Sequence, residues 1–378
     1  MIEPDTEHVP PPGLKSRAPE KPRNHRYVQA LLSVSSWCVP SPNSDHLVTG
    51  AQPSLEKFHR DEAGRRRVRC AAMKTNDNND GTTMREEMRE RIIGGAGFFA
   101  ALDQSGGSTP KALAQYGIAA DAFANETQMF ALMHEMRVRI MTAPSFTGER
   151  VVGAILFERT MHGEVDGVPV PSFLWRRGVV PFLKVDEGLQ PEKDGVSLMK
   201  EMSGLGPRLA EAARLGVFGT KMRSTIRQAS RNGIAAAVDQ QFEIAARISR
   251  HGLMPIVEPE VLIDSPDKEA AERMLRAELR RRLDDLPGDE QVILKLTLPT
   301  DPGLYVDLLE HRGVARLLAL SGGYSRDEAC RRLAATPGMI ASFSRALTEG
   351  LKVTMSDPEF DAALERSIAA IHKASVKT

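Results

Sequence analysis

The sequence predicts an α/β protein folded as a closed (β/α)8 barrel of the TIM type, a parallel eight-stranded sheet wrapped by helices. Three observations lead there. From Met84 onward, short apolar runs bounded by Gly or Pro alternate with longer amphipathic stretches. The runs are apolar at almost every position rather than at alternate ones, as in strands covered on both faces. Eight such units spread over about 250 residues match the size of a closed barrel, with a doubly wound open sheet as the alternative.

In order, the candidate strands are GFFAALD (97–103), VVGAILF (151–157), VVPFLKV (179–185), GVFGTKM (216–222), LMPIVEP (253–259), QVILKLT (291–297), ARLLALS (315–321) and GMIASFS (338–344). Helical stretches lie between them, among them NGIAAAVDQQFEIAARISRHG and SPDKEAAERMLRAELRRRLDDLPG. In the second, Ser265 is the expected N-cap, Pro266 a first-turn residue and Gly288 a stop. Ser325 and Glu328 have the spacing of a capping box. Residues 1–83 show no sustained period of 2 or 3.6, cluster prolines in VPPPG and VPSPNS, and end in the polar KTNDNNDGTT. They read as a disordered extension ahead of a single catalytic domain over 84–378. A targeting peptide is one explanation, although Asp5, Glu7, Glu20, Asp45, Glu56, Asp61 and Glu62 make it acidic for that role; a true start at Met73 or Met84 is another.

Composition excludes several classes. Lys plus Arg and Asp plus Glu number 50 each, so no gross charge steers the chain toward nucleic acid or an anionic membrane. The longest apolar candidate, IIGGAGFFAAL (92–102), falls short of the roughly 20 residues a bilayer span needs. Cys38, Cys70 and Cys330 are odd in number and lack metal-ligand spacing, which favours a reducing compartment, and the expected location is cytoplasmic unless the extension is a transit peptide. His134, His162, His251 and His311 show no zinc-like spacing, so neither a metal nor another cofactor is expected. Oligomeric state stays open, a homo-oligomer included.

Barrel chemistry collects at the C-terminal ends of the strands. Seven of the eight candidate runs bring a polar group there: Asp103, Lys184, Lys221, Glu258, Lys295, Ser321, and Ser344 with Arg345. Any one of them has an ordinary reading as a solvated or paired side chain; their common placement points to a site. Lys295 stands among Val292, Ile293, Leu294, Leu296 and Leu298. Burying an ammonium favours the neutral amine unless a counter-ion is supplied. Two readings follow: a nucleophilic amine, with Lys221 and Lys184 pushing the same way by like-charge repulsion, or a lysine salt-bridged to Glu258. Glu258 and Glu260 are two apart in PIVEPE and share a strand face, so their acidities can be driven apart. In LALSGGYS, Ser321, Gly322 and Gly323 are either a simple turn or an anion cradle at the start of the next helix, the latter supported by Arg345 after the neighbouring strand.

The ordered motifs GFFAALDQSGGSTPKAL, ILFERTM, VPFLKVDEGL, FGTKMRSTI, PIVEPEVL, VILKLT, LALSGGYS and SFSRAL resemble class I fructose-bisphosphate aldolase, in its short bacterial-type branch, over residues 84–373. The resemblance implies metal-independent, reversible retro-aldol cleavage of fructose 1,6-bisphosphate to dihydroxyacetone phosphate and glyceraldehyde 3-phosphate, in glycolysis and gluconeogenesis. It makes Lys295 the Schiff-base lysine, Glu258 the general acid/base with Glu260 in support, Asp103 the group at the C4 hydroxyl, and Lys221 a positive charge beside the amine. Ser108, Lys184 and Arg223 match contacts to the substrate or its far phosphate; Ser321, Gly322, Gly323, Ser344 and Arg345 match the site for the phosphate near C1. Gln104 stands where the animal-type branch is acidic, and the closing HKASVKT lacks that branch's C-terminal tyrosine, so a carboxylate or solvent path would move its proton. Transaldolase is the nearest enzyme alternative, disfavoured by two phosphate sites; an idle scaffold is disfavoured by the intact Lys295, Glu258, Asp103 and Arg345.

Overall fold

The computed structural model describes residues 77–376. Expectations that concern residues 1–76, including Cys38, Cys70 and Met73, lie outside them. Eight parallel strands form the barrel: β1 (Phe98–Leu102), β2 (Val151–Leu156), β3 (Val180–Lys184), β4 (Gly219–Ile226), β5 (Met254–Val261), β6 (Val292–Thr297), β7 (Val314–Leu320) and β8 (Ile340–Phe343). Each pairs with the next, and β8 closes on β1 through Phe99 opposite Ser342. All eight expected strands are present, and the open-sheet alternative is excluded.

The fourth strand is displaced from its expected position. Gly216 turns with φ +81°, and pairing begins at Gly219, where a Cβ would strike the Met254 carbonyl and the Phe182 ring. The strand then runs on to Ile226, because Val196–Ser197 adds an antiparallel segment to its end and β5 stays in register through Val261. Local propensity does not encode such long-range pairing.

Two further local expectations change. The helix Lys268–Asp284 starts after Asp267 rather than at Ser265; Ser265 Oγ bonds Asp267, which accepts the backbone N–H of Ala229 instead of capping. Its last helical residue also precedes Gly288, which lies in the following loop. Ser325 caps the helix Arg326–Ala335, but Glu328 turns to Arg331 and Arg332 rather than completing the box.

Strand periodicity divides the core in two. Side chains such as Phe98, Leu102, Leu294 and Leu296 face the surrounding helices. Phe99, Val180, Phe182, Ile256 and Ile293 fill the barrel interior. The N-terminal end is closed by the helix Asp77–Gly94, which inserts Met88 and Ile92 into that interior cluster and reaches the Val217, Phe218 and Gly252 carbonyls with Arg85. The boundary expected between residues 83 and 84 falls inside this helix, whose first turns are polar and show no period.

Candidate active site

Followed along the inward face, several strands change character toward their C-terminal ends. In β1 the series is Phe99, Ala101 and then Asp103; in β3 it is Val180, Phe182 and Lys184; in β6 it is Ile293 and Lys295. The apolar neighbours that made Lys295 conspicuous, Leu294 and Leu296, point outward into the helix layer. Lys295 is 4 % exposed and projects into a cavity of about 1100 Å³ at the C-terminal mouth.

A chain of ion pairs lines the floor of that cavity. Lys295 Nζ lies 2.9 Å from Glu258 Oε1, and Lys221 Nζ lies 3.0 Å from Oε2 of the same carboxylate. The second contact is an ion pair whose angles miss those of a hydrogen bond. Lys221 also sits 2.8 Å from Asp103 Oδ2. Burial pushes Asp103 up and Lys221 down, and in both the opposite charges win. Lys221 and Lys295, with Lys184, hold Asp103 below the usual carboxylate range. Asp103, Glu258 and Asp186 hold the Lys221 ammonium above the ordinary lysine value.

Of the two readings of Lys295, the paired one describes this state. Lys221 and Lys184 are not bare cations pressing on it, since each is held by carboxylates of its own: Lys184 Nζ is 2.8 Å from Asp186 Oδ1 and donates to the Asp186 carbonyl at 2.6 Å. Glu260 is engaged by Arg223 at 2.7 Å, while Glu258 is shared by the two lysines, so the two glutamates on one strand face stand in different surroundings. Arg223 is partly exposed, and Glu260, Glu258 and Asp186 outweigh its burial and hold its guanidinium above the ordinary arginine value.

The opposite rim collects the anion-binding candidates. Ser321 follows β7, and Gly322 and Gly323 take φ of +59° and +130°, conformations that side chains disfavour. The Arg345 guanidinium lies against Gly323, 3.4 Å from where a Cβ would stand. The helix expected to start at these glycines begins only at Arg326, with Ser325 as its cap, so the cradle consists of loop amides and Arg345 rather than a helix terminus. Ser344 Oγ accepts a 2.6 Å hydrogen bond from Gln104 Nε2. Ser108, exposed, exchanges hydrogen bonds with Ser105 and lines the same cavity.

The structure therefore brings the candidate residues to one mouth; of them only Gly323, exposed beside the Arg345 guanidinium, does not line the cavity itself. Three groups were not foreseen. Asp186 is two residues past Lys184, the same-face spacing already applied to Glu258 and Glu260, so a signal existed. Gln241 gives none: it sits on the helix Arg231–Ser249, accepts Glu258 N–H at 2.7 Å and donates to Ser224 Oγ at 2.5 Å, fixing β4 to β5. Arg137, fully buried on the helix Glu126–Thr142, holds the Gln104 carbonyl and Thr160. Burial pushes its guanidinium down to about 10 against the pull of Asp103. Among the described residues, no three His, Cys, Asp or Glu side chains converge as a metal-binding group, and no helix is long and apolar enough to cross a membrane.

Comparison with known proteins agrees with this fold and shows the family. The family described as fructose-bisphosphate aldolase class-I matches residues 85–282. The class 1 fructose-bisphosphate aldolase of Synechocystis sp. PCC 6803 is 52 % identical over 292 residues, which is 77 % of this chain and 97 % of that protein. The solved fructose-bisphosphate aldolase of Plasmodium falciparum superposes with a TM-score of 0.61 at 20 % identity, covering 78 % of this chain and 95 % of that one, and shares the barrel fold. With more than half its length matched by the family and a relative 52 % identical over 77 % of it, this chain belongs to the class I fructose-bisphosphate aldolase family.

Proposed function

We propose that the site cleaves and re-forms fructose 1,6-bisphosphate through a Schiff base on Lys295. The observation that carries this reading is the seating of a nearly buried lysine amine 2.9 Å from a glutamate oxygen at the floor of a barrel-mouth cavity. Lys295 passes its proton to Glu258, and the freed lone pair attacks the C2 carbonyl. Loss of water leaves a protonated iminium, which accepts the electron pair of the C3–C4 bond while Asp103 takes the C4 hydroxyl proton. Glyceraldehyde 3-phosphate departs; protonation and hydrolysis of the enamine release dihydroxyacetone phosphate and the free lysine.

Lys221 supplies positive charge where the carbinolamine oxygen develops, and Glu260 acts by holding Arg223. Ser321, Gly322, Gly323, Ser344 and Arg345 take the C1 phosphate; Ser108, Lys184 and Arg223 take the far one. Clamping both ends brings C2 against the amine. The glycolytic and gluconeogenic setting and a cytoplasmic location rest on family membership.

Borohydride added with fructose 1,6-bisphosphate is expected to leave a reduced adduct on Lys295, located by peptide mass, while EDTA leaves turnover unchanged. Full activity in Lys295→Arg, or inactivation by the chelator, would remove the mechanism.

A further inference from the structure

We propose that Asp186 is a positioning residue for the proton transfer between Lys295 and Glu258, acting as the second seat for the charge of Lys221. This rests on the roles given above to Lys295 and Glu258.

Where β3 meets β4 the register sets Lys184 directly beside Lys221, two ammonium groups in adjacent strands. Like charges so placed repel, and Asp186 is the carboxylate between them. Its Oδ1 holds Lys184 at 2.8 Å; its Oδ2 lies 4.0 Å from Lys221 Nζ. That second oxygen is buried and has no hydrogen-bond partner, although the side chain is only 4 % exposed and lines the cavity. A buried carboxylate oxygen without a donor is costly, and here a protonated lysine stands one small shift away.

The reaction supplies the occasion for that shift. At rest, three ammonium groups (Lys184, Lys221, Lys295) face three carboxylates (Asp103, Asp186, Glu258). The proton of Lys295 moves to Glu258, leaving a neutral amine and a neutral carboxylic acid, and the total charge is unchanged. Lys221 then loses one of its two close anions and keeps Asp103. An ammonium beside Glu258 opposes protonation of that carboxylate unless another anion can take its charge. Asp186 Oδ2 is that anion, and Asp103, Lys221, Asp186 and Lys184 then form one alternating row. Without Asp186, Glu258 is a poorer proton acceptor and the amine is freed less often.

The test is D186N, together with K184M and K184M/D186N, in which paired removal of both charges protects folding. D186N is expected to lower kcat about tenfold or more with KM within about threefold, and to slow borohydride trapping in parallel. The double variant should lose a further kcat factor of similar size relative to K184M. If D186N raises KM alone, or if the double variant matches K184M, Asp186 acts only by holding Lys184 and the proposal fails. Slow but correctly placed label on Lys295 in D186N supports it, because the nucleophile is then intact. No label on Lys295 even in the unaltered chain would remove the nucleophile assignment and, with it, this inference.

Discussion

The two mouths of the barrel are made from the same strands and solve opposite problems. At the N-terminal mouth, Phe99, Phe182, Ile256 and Ile293 meet Met88 and Ile92 of the plugging helix in a dry apolar cluster. At the C-terminal mouth, one inward step further along those strands, the side chains are Lys184, Glu258 and Lys295 around an open cavity. One end contributes stability through buried area; the other holds charges that cost desolvation and are kept in place by one another. Folding strength and chemistry are thus separated by the length of a strand, which predicts that each end can be damaged without the other.

The largest effect should come from the upper end. K295M removes the proposed nucleophile and is expected to abolish turnover, by about four orders of magnitude or more. It also replaces a buried ammonium by an apolar chain of similar size, while Glu258 retains Lys221. Removing one cation leaves the buried carboxylates short of a partner, so the melting temperature should fall, though modestly because Glu258 keeps Lys221; a drop as large as that of an apolar-core truncation would mean that the charged mouth also carries the fold.

The lower end should answer in reverse. I92A opens a cavity under the barrel and is expected to cost about 2–5 kcal/mol in denaturant unfolding. The kcat of the folded fraction should not change; a matching loss of kcat would show the two ends to be coupled.

The smallest effect concerns acid. Asp103 is held below its unfolded value, so its contribution is present above the unfolded carboxylate range near pH 4 and is lost as pH falls through the lower folded value. Lys221 is raised, so its contribution is complete below the ordinary lysine range and is lost only on the far alkaline side. Measured against the unaltered chain, D103N should be most destabilised near neutrality, and the gap should narrow below about pH 4, where Asp103 of the unfolded chain takes up its proton, closing only below the lower folded value. A gap that stays constant with pH would mean that the ion pairs contribute nothing to the upper end.

Much of this contrast was legible in the sequence. Eight apolar runs gave eight strands, and a lysine inside one of them marked the cavity floor. Errors gathered where a neighbour decides the outcome. The end of β4 at Ile226 depends on Val196–Ser197, and the cap at Asp267 is diverted by Ala229. Asp186 was missed although its spacing from Lys184 repeats the logic that found Glu260. Gln241 and Arg137 were invisible, because a lone polar residue on a helix has no periodic signature.

By itself the chain determined which side chains point into the barrel, since alternation along a strand is local geometry and needs no partner. Only the closed sheet decided which charge meets which. Asp103 reaches Lys221, and Lys295 reaches Glu258, across strands far apart in the chain, in a register set by barrel closure. Electrostatic energy depends on distances of a few ångström between such groups, and no local pattern of residues contains those distances.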